Sequence, residues 1–225
     1  MVINVLNLIY ILLIITYLLL IYRDNVMIPR LIQKNKKRHK NLLVFLDKVQ
    51  NILQEKGIIY WMIGGGLIGY IRHDKSLIPW DDDLDLGLLY TEDFENKILL
   101  FKKDIESLGY VLKNVDFGYK VVDIYNDVDI DLFIYIQDGS KIVFKYPFAK
   151  LFWPNDYFYI NELFPLIDDY IDNVICKLPK EYKKFLIRAY GNNVLKEYKI
   201  FSVHKCNRIE SMIYSYLKNF NYQVK

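Results

Sequence analysis

The stretch that decides the fold runs from residue 63 to residue 87 and reads IGGGLIGYIRHDKSLIPWDDDLDLG. It joins a turn of three glycines to four carboxylates within five positions, at the start of an apolar run. Negative charge concentrated beside a strand is costly unless cations neutralise it. Glycines let a phosphate approach the backbone, and carboxylates bind the divalent metals that accompany phosphates. The stretch therefore predicts a site for metal and phosphate chemistry.

The acidic residues alternate with apolar residues, as in a strand with one buried face. Side chains along a strand point to opposite faces, so Asp83 and Asp85 share one face and the leucines beside them share the other. A later run has the same alternation and puts Asp127, Asp129 and Asp131 on one face. Two adjacent strands would bring Asp83, Asp85 and Asp131 around a common point. Three carboxylates fit one or two Mg²⁺ ions there, with water and phosphate oxygens as the remaining ligands.

Three other interpretations of the acidic run stay open. A solvated acidic loop does not explain the apolar residues at alternate positions. An EF-hand calcium loop requires a glycine at its sixth position, where this chain has Leu86. The D-x-D motif of metal-dependent glycosyltransferases matches residues 83–85, but it leaves the glycine turn without a role.

The glycine turn and the residues after it are candidates for phosphate binding. Gly64 to Gly66 lacks the Lys-Ser/Thr of a P-loop, so a tight strand-to-helix turn is the alternative. Arg72 and His73 follow the predicted short helix. An arginine between a glycine turn and a metal cluster is suited to hold a phosphate through two parallel hydrogen bonds.

Composition limits the class of protein. Of 225 residues, 53% are hydrophobic, which supports a sizeable core and argues against a disordered chain. Two cysteines are too few for a disulfide-rich secreted scaffold. The formal net charge of +3 is modest and gives no reason to expect nucleic acid as a partner.

The first 22 residues are typical of a membrane anchor. Val2 to Tyr22 has no charged side chain, and as a helix it would measure about 31 Å, close to the hydrocarbon thickness of a bilayer. It lacks the basic start and small-residue cleavage site of a signal peptide. Residues 23–40 are strongly basic, which favours a cytoplasmic position for the chain that follows. We expect a single-pass membrane protein with a cytoplasmic domain, and a lumenal domain is the alternative.

Periodicity predicts one α+β domain on a membrane stalk. The expected boundaries are a transmembrane anchor over 1–22, a basic juxtamembrane linker over 23–40 and a catalytic domain over 41–225. The apolar spacing predicts helices over residues 41–56, 67–72, 92–107 and 179–190. It predicts strands over residues 58–63, 84–89, 119–125, 129–136 and 141–146.

The segment from Gly65 to Leu86 resembles the signature of the LicD and fukutin family of phosphotransferases. In that family a glycine-rich turn leads through Arg-His to Ile-Pro-Trp-Asp-Asp-Asp, here residues 78–83. The later Ile-Asp-Leu-Phe at 130–133 is similar to the family's downstream acidic strand, and residues 163–166 and 179–191 resemble its C-terminal landmarks. After Phe133 the family often continues Pro-Leu-Asp, whereas this chain has Ile-Tyr-Ile.

The resemblance implies a nucleotidyltransferase-like fold, a small mixed sheet flanked by helices that carries an acidic metal site. It also implies transfer of phosphocholine, ribitol phosphate or a related group from a CDP-linked donor to a glycan hydroxyl. By position, Asp83 and Asp85 would hold Mg²⁺ or Mn²⁺, and Asp131 would complete the catalytic triad and activate the acceptor. The implied substrate-binding residues lie at the two ends of the glycine motif, namely Gly65, Gly66, Arg72 and His73. A nucleotide-sugar glycosyltransferase and a catalytically inert membrane-tethered binding module are the alternatives.

Overall fold

The computed structural model describes residues 4–198 and 206–222. The helices are α1 (Val5–Tyr22), α2 (Ile28–Glu55), α3 (Gly64–Arg72), α4 (Phe94–Ser107), α5 (Pro147–Phe152), α6 (Ile160–Leu163), α7 (Tyr182–Tyr190) and α8 (Arg208–Leu217), with a π-helical turn, Arg23–Met27, between α1 and α2. The strands are β1 (Tyr60–Met62), β2 (Leu84–Leu89), β3 (Val111–Val115), β4 (Gly118–Asp123), β5 (Val128–Asp138), β6 (Lys141–Phe144), β7 (Phe158–Tyr159), β8 (Ile167–Ile171) and β9 (Val174–Leu178).

Contacts divide the chain into two compact units. The smaller unit is formed by Met1–Lys36 with Glu197–Lys225, and the larger by Lys37–Lys196. The two units meet at residues 36–37 and 196–197 of the chain, and the catalytic domain expected over 41–225 stays a prediction. Residues 23–40, expected to be a linker, are helical throughout. Met27, Ile28 and Leu31 are buried among the basic residues of this segment and give the helix an apolar side.

The larger unit is built on a mixed sheet with strand order β1-β2-β5-β4-β3. The two central strands, β2 and β5, are parallel, whereas β1, β4 and β3 pair antiparallel with their neighbours. The far half of β5 continues into a hairpin with β6, which in turn pairs with β7. Leu84, Leu86 and Ile130 lie in the core at 1% exposure or less. The structure confirms the α+β class with a mixed sheet flanked by helices.

Helices cover the sheet through apolar stripes. The glycine-rich α3 packs on β2, and α4 packs beside β3. The buried residues of α4 recur every three or four positions, at Phe94, Ile98, Phe101 and Ile105. The predicted strand over 84–89 has the observed bounds, and the predicted helix over 92–107 begins two residues later, at Phe94.

The apolar spacing predicts no helix or strand between residues 147 and 178. The structure has α5, β7, α6 and the separate two-stranded sheet β8-β9 in this region. The helix expected to begin at Pro179 begins instead at Tyr182. The amides of Lys180 and Glu181 donate to the carbonyls of Leu163 and Glu162, so these residues are held by α6 before the helix starts.

Within the smaller unit, α1 is apolar along its whole length and none of its residues is buried. The helical stretch that begins at Val5 contains one window long and apolar enough to cross a membrane, by length and composition. Signal sequences and the core helices of soluble proteins pass the same test, so this is weak evidence for a span.

Candidate metal and phosphate site

Two parallel strands bring the carboxylates together. On β2, Leu84 and Leu86 enter the core whereas Asp85 is half-buried on the opposite face, as expected from the alternation. Asp85 pairs in register with Asp131 on β5. Asp83, just before β2, points the same way, and one carboxylate oxygen from each of Asp83, Asp85 and Asp131 lies within 4.8 Å of the other two.

This donor set fits a hard divalent cation. Asp131 is only 9% exposed, and burial raises its pKa to about 6, an effect that Lys120 opposes and that Asp83 and Asp129 reinforce. Three carboxylates that are partly removed from water and repel one another are stabilised by a cation between them. Carboxylate oxygens are also the ligands that Mg²⁺ and Mn²⁺ prefer.

The other acidic residues of the two runs lie differently. Asp81, Asp82 and Asp83 form a second group of close carboxylates, in which Asp82 is 3% exposed. Asp127, expected on the same face as Asp131, precedes β5 and is exposed with a φ of +53°. The alternation expected from Asp127 therefore begins only at Asp129, because a turn residue in the left-handed region does not follow the strand.

Lys120 is a charged neighbour that the sequence analysis missed. It lies on β4 directly opposite Asp131, and its ammonium is 2.9 Å from Asp131 and 3.0 Å from Asp129. Burial lowers the pKa of Lys120, but the two carboxylates outweigh burial and raise it above its ordinary value. Lys120 therefore carries a positive charge that partly balances the cluster.

Arg38 and His39 tie the two acidic segments together from α2. The Arg38 guanidinium, 9% exposed, donates to the carbonyl oxygen of Asp82 at 2.7 Å. It also donates to the carboxylates of Asp127 at 2.9 Å and Asp129 at 3.5 Å. The imidazole of His39 lies 2.7 Å from the carbonyl oxygen of Asp81. These residues were expected in a linker, and only the folded chain shows that they hold the site.

The glycine turn lets the start of α3 lie directly against the acidic residues. Gly64 has a φ of +57°, and a Cβ added there would collide with the carboxylate of Asp85. A Cβ on Gly65 would collide with the carboxylate of Asp81. Gly66 lies instead against the side chains of Met62 and Leu84. Close approach to carboxylates thus accounts for Gly64 and Gly65, and core packing accounts for Gly66.

The family model of the LicD/FKTN/FKRP nucleotidyltransferase domain matches residues 57–180, more than half of the chain. The chain belongs to the LicD/FKTN/FKRP family. The matched range contains the glycine turn, β2, Lys120 and β5, and therefore the whole carboxylate cluster.

The chain is similar to parts of longer curated proteins. An uncharacterized protein of Rickettsia typhi is 30% identical over 159 residues, which cover 70% of this chain and 43% of that protein. Ribitol 5-phosphate transferase FKRP of Homo sapiens is 28% identical over 158 residues, covering 66% of this chain and 30% of FKRP. The chain thus spans about half or less of the length of the curated relatives it matches.

Among solved structures, the antibiotic-resistance factor ANT(2″)-Ia in complex with adenylyl-2″-tobramycin is similar in part. The two chains are 14% identical, the match covers 61% of this chain and 68% of that one, and the TM-score is 0.41. A score this low does not by itself establish a common fold.

Two further residues of the LicD motif lie at the far end of α3. Arg72 and His73 are seven and eight residues beyond Gly65, about 10 Å along the helix axis. The His73 ring packs edge-on against Trp80, with ring centroids 5.3 Å apart. Burial, and secondarily Arg72, lower the pKa of His73 to about 4, so the ring is neutral at pH 7. A substrate-binding role for Arg72 and His73 stays a prediction.

Proposed function

We propose that this chain is a membrane-anchored, divalent-metal-dependent transferase. It moves a phospho-alcohol group, of the phosphocholine or ribitol-phosphate type, from a CDP-linked donor to a hydroxyl of a glycan. The observation that carries the proposal is the pairing of Asp85 with Asp131 on adjacent parallel strands, with Asp83 beside them, in a chain of the LicD family. The name of the human relative, a ribitol 5-phosphate transferase, supports the same class of reaction.

Asp83, Asp85 and Asp131 would hold Mg²⁺ or Mn²⁺ in this proposal. The bound metal would neutralise the donor diphosphate and so stabilise charge on the departing nucleotide. Gly65 lies at the amino end of α3 beside the carboxylates, and in this proposal the backbone there would receive a donor phosphate. Lys120 orients Asp131 through their 2.9 Å contact. Asp131 is the proposed acceptor of the proton that the attacking hydroxyl loses.

The apolar helix α1 is the proposed membrane anchor. Its 18 residues carry no charge and none of them is buried within the structure, a state that lipid stabilises and water does not. The basic residues that follow favour the cytoplasmic side for the larger unit.

Ligand-induced stabilisation of the full chain in detergent tests the proposal. We expect a CDP-linked alcohol (CDP-choline, CDP-ribitol or CDP-glycerol) with Mn²⁺ to raise the melting temperature, and Mn²⁺-dependent release of CMP in the presence of an acceptor glycan. Asp85→Asn should abolish both effects. Asp138→Asn is the matched control, because Asp138 lies at the exposed far end of β5, and it should keep both.

Three outcomes would contradict the proposal. Stabilisation by UDP-sugars in preference to CDP-alcohols would favour a glycosyltransferase. A chain that binds none of these donors, and whose cellular function survives Asp83→Ala and Asp85→Ala, would be an inert binding module. Donor binding without metal would remove the assigned role of the carboxylates.

A further inference from the structure

The helix α8 presents three different sides. Tyr214 and Leu217 are buried within the smaller unit. Ile209, Met212 and Tyr216 recur at spacings of three and four residues, so they share a second side, and they are 71%, 65% and 53% exposed. The third side is exposed and polar, with Ser211, Ser215 and Lys218. A row of large exposed apolar side chains on a short helix is typical of a surface that contacts another apolar surface.

Contacts fix the carboxyl end of α8 to the end of α1. The hydroxyls of Thr16 on α1 and Tyr216 on α8 are hydrogen-bonded at 2.7 Å. Arg23, the first residue after α1, is 1% exposed. Its guanidinium donates to three backbone carbonyls at 3.3, 2.9 and 3.0 Å, those of Leu217, Phe220 and Asn221. A cation at the end of a helix satisfies carbonyls that have no partner within the helix.

The other end of α8 is fixed to the start of α2. Glu210 forms an ion pair with Arg30. Because Tyr216 contacts Thr16 and Glu210 contacts Arg30, α8 runs antiparallel to the chain segment 16–30. The carboxyl end of α8 therefore lies level with the last turns of α1, and its amino end lies level with the first turn of α2.

We propose that α8 is a membrane-interface helix whose exposed apolar side contacts lipid where α1 leaves the bilayer. The inference rests on the proposed anchoring of α1 and adds a second lipid contact to it. Thr16 lies six residues before the end of α1, about 9 Å along its axis. The headgroup layer on each side of the hydrocarbon core is roughly 5–8 Å thick. With α1 in the bilayer, Arg23 just beyond its end lies in this layer. Its contacts with the carbonyls of Leu217 and Phe220 bring the carboxyl end of α8 to the same level, and the Tyr216 side chain reaches inward to Thr16.

The side chains at this level are those that membrane interfaces favour. Tyr17 and Tyr22 of α1 are 64% and 41% exposed, and Phe220 after α8 is 43% exposed. Together with Tyr216 they form an aromatic collar around the end of the span, and aromatic rings are enriched at the level of the headgroups. Tyr216, on the exposed side of α8, reaches α1 through its contact with Thr16, so this side adjoins α1. Lipid is therefore the proposed occupant of the exposed side.

Spin labels on the full chain in lipid nanodiscs test this inference. In a background with Cys176→Ala and Cys206→Ser, single cysteines replace Met212 and Phe220 on the lipid side. Ser211→Cys and Lys218→Cys are matched controls, one and two positions away on the polar side. We expect labels at 212 and 220 to be several-fold more accessible to oxygen than to a water-soluble nickel chelate, and labels at 211 and 218 to show the reverse. A label at Leu12→Cys, in the middle of α1, tests whether α1 lies in the bilayer, and we expect it to be accessible to oxygen.

The possible outcomes separate the inference from the proposed function. If the labels at 211, 212, 218 and 220 are all nickel-accessible while the label at 12 is oxygen-accessible, α1 is anchored and the proposed interface helix is wrong. If Leu12 is nickel-accessible as well, the anchoring and the inference both fail. Dipolar broadening between labels at Met212 on two chains would assign the exposed side to a second copy and overturn the inference.

Discussion

At the scale of single residues, Lys120 sets the charge balance of the carboxylate cluster. It contacts Asp129 and Asp131 at about 3 Å from a neighbouring strand. Lys120→Met should lower the free energy of unfolding without metal by about 1–3 kcal/mol, because charged hydrogen bonds are lost while the carboxylates remain. Lys113→Met is the control, since Lys113 pairs with Lys120 in register but is exposed on β3. Urea unfolding followed by tryptophan fluorescence measures both, and an equal effect of the two would refute the assignment.

Asp156 predicts a pH dependence of stability that is separate from the metal site. It is 8% exposed and accepts a hydrogen bond from the Tyr135 hydroxyl at 2.8 Å. Burial raises its pKa from 3.8 to about 7, although Tyr135 and Arg188 oppose the shift. Because the folded state holds this proton more tightly than the unfolded chain, its contribution to stability is complete below about pH 4 and is lost as the pH rises through 7.

Asp156→Asn should therefore flatten the decline in stability between pH 5 and pH 8. Relative to the wild type, the variant should gain about 1–3 kcal/mol over that interval, since its amide stays neutral and its oxygen still accepts from Tyr135. Unfolding free energies at both pH values test this. Asp138→Asn, at an exposed position, is the control. If the unfolding free energies of the wild type and of Asp156→Asn change by the same amount between pH 5 and pH 8, the prediction is contradicted.

At the scale of elements, α3 and the loop after it depend on two glycines in different ways. A Cβ on Gly69 would lie 2.5 Å from the carbonyl oxygen of Ser76 and 3.0 Å from the amide nitrogen of Ile78, both backbone atoms, which shift less readily than the end of a side chain. A Cβ on Gly65 would meet only the end of the Asp81 side chain. Gly69→Ala should therefore destabilise the fold by about 1–3 kcal/mol, and Gly65→Ala should cost less stability but weaken donor binding. Urea unfolding midpoints measure the loss of stability, and donor-dependent thermal shifts measure the loss of donor binding. A lower urea midpoint for Gly65→Ala than for Gly69→Ala would contradict the prediction and show that the loop after α3 moves to accept the methyl group.

The sequence pattern predicts β2 correctly but not the helix over residues 23–40 or the sheet β8-β9. In β2 the alternation of Asp85 with buried leucines is visible in the sequence, because a period of two is a local property of the backbone. The helical state of residues 23–40 was missed, since closely spaced lysines and arginines obscure the apolar side formed by Met27, Ile28 and Leu31. The sheet β8-β9 was missed because its strands pair with each other outside the main sheet and are partly exposed.

At the scale of the whole molecule, the proposed location depends on α1. Two arginines at its centre, Leu12→Arg with Leu13→Arg, should release the chain from membranes during carbonate extraction, because each costs about 2.5–3.5 kcal/mol at the middle of a span. Val5→Arg, at the edge of α1, is the control and should remain in the membrane fraction. Release of the wild-type chain by carbonate would contradict a membrane anchor.

The sequence by itself determined the α+β class, the family and the alternation of Asp83, Asp85 and Asp131 with apolar residues, because these are local patterns in the order of the chain. Only the tertiary structure decided that Asp85 faces Asp131 in register, that Lys120 lies opposite Asp131, and that Arg38 joins the two acidic segments. Only the tertiary structure likewise decided that the Arg23 guanidinium, just after α1, donates to the backbone carbonyl of Phe220 beyond α8. These contacts join residues far apart in the chain, and the pairing of strands and the burial of charge arise only when the whole core forms.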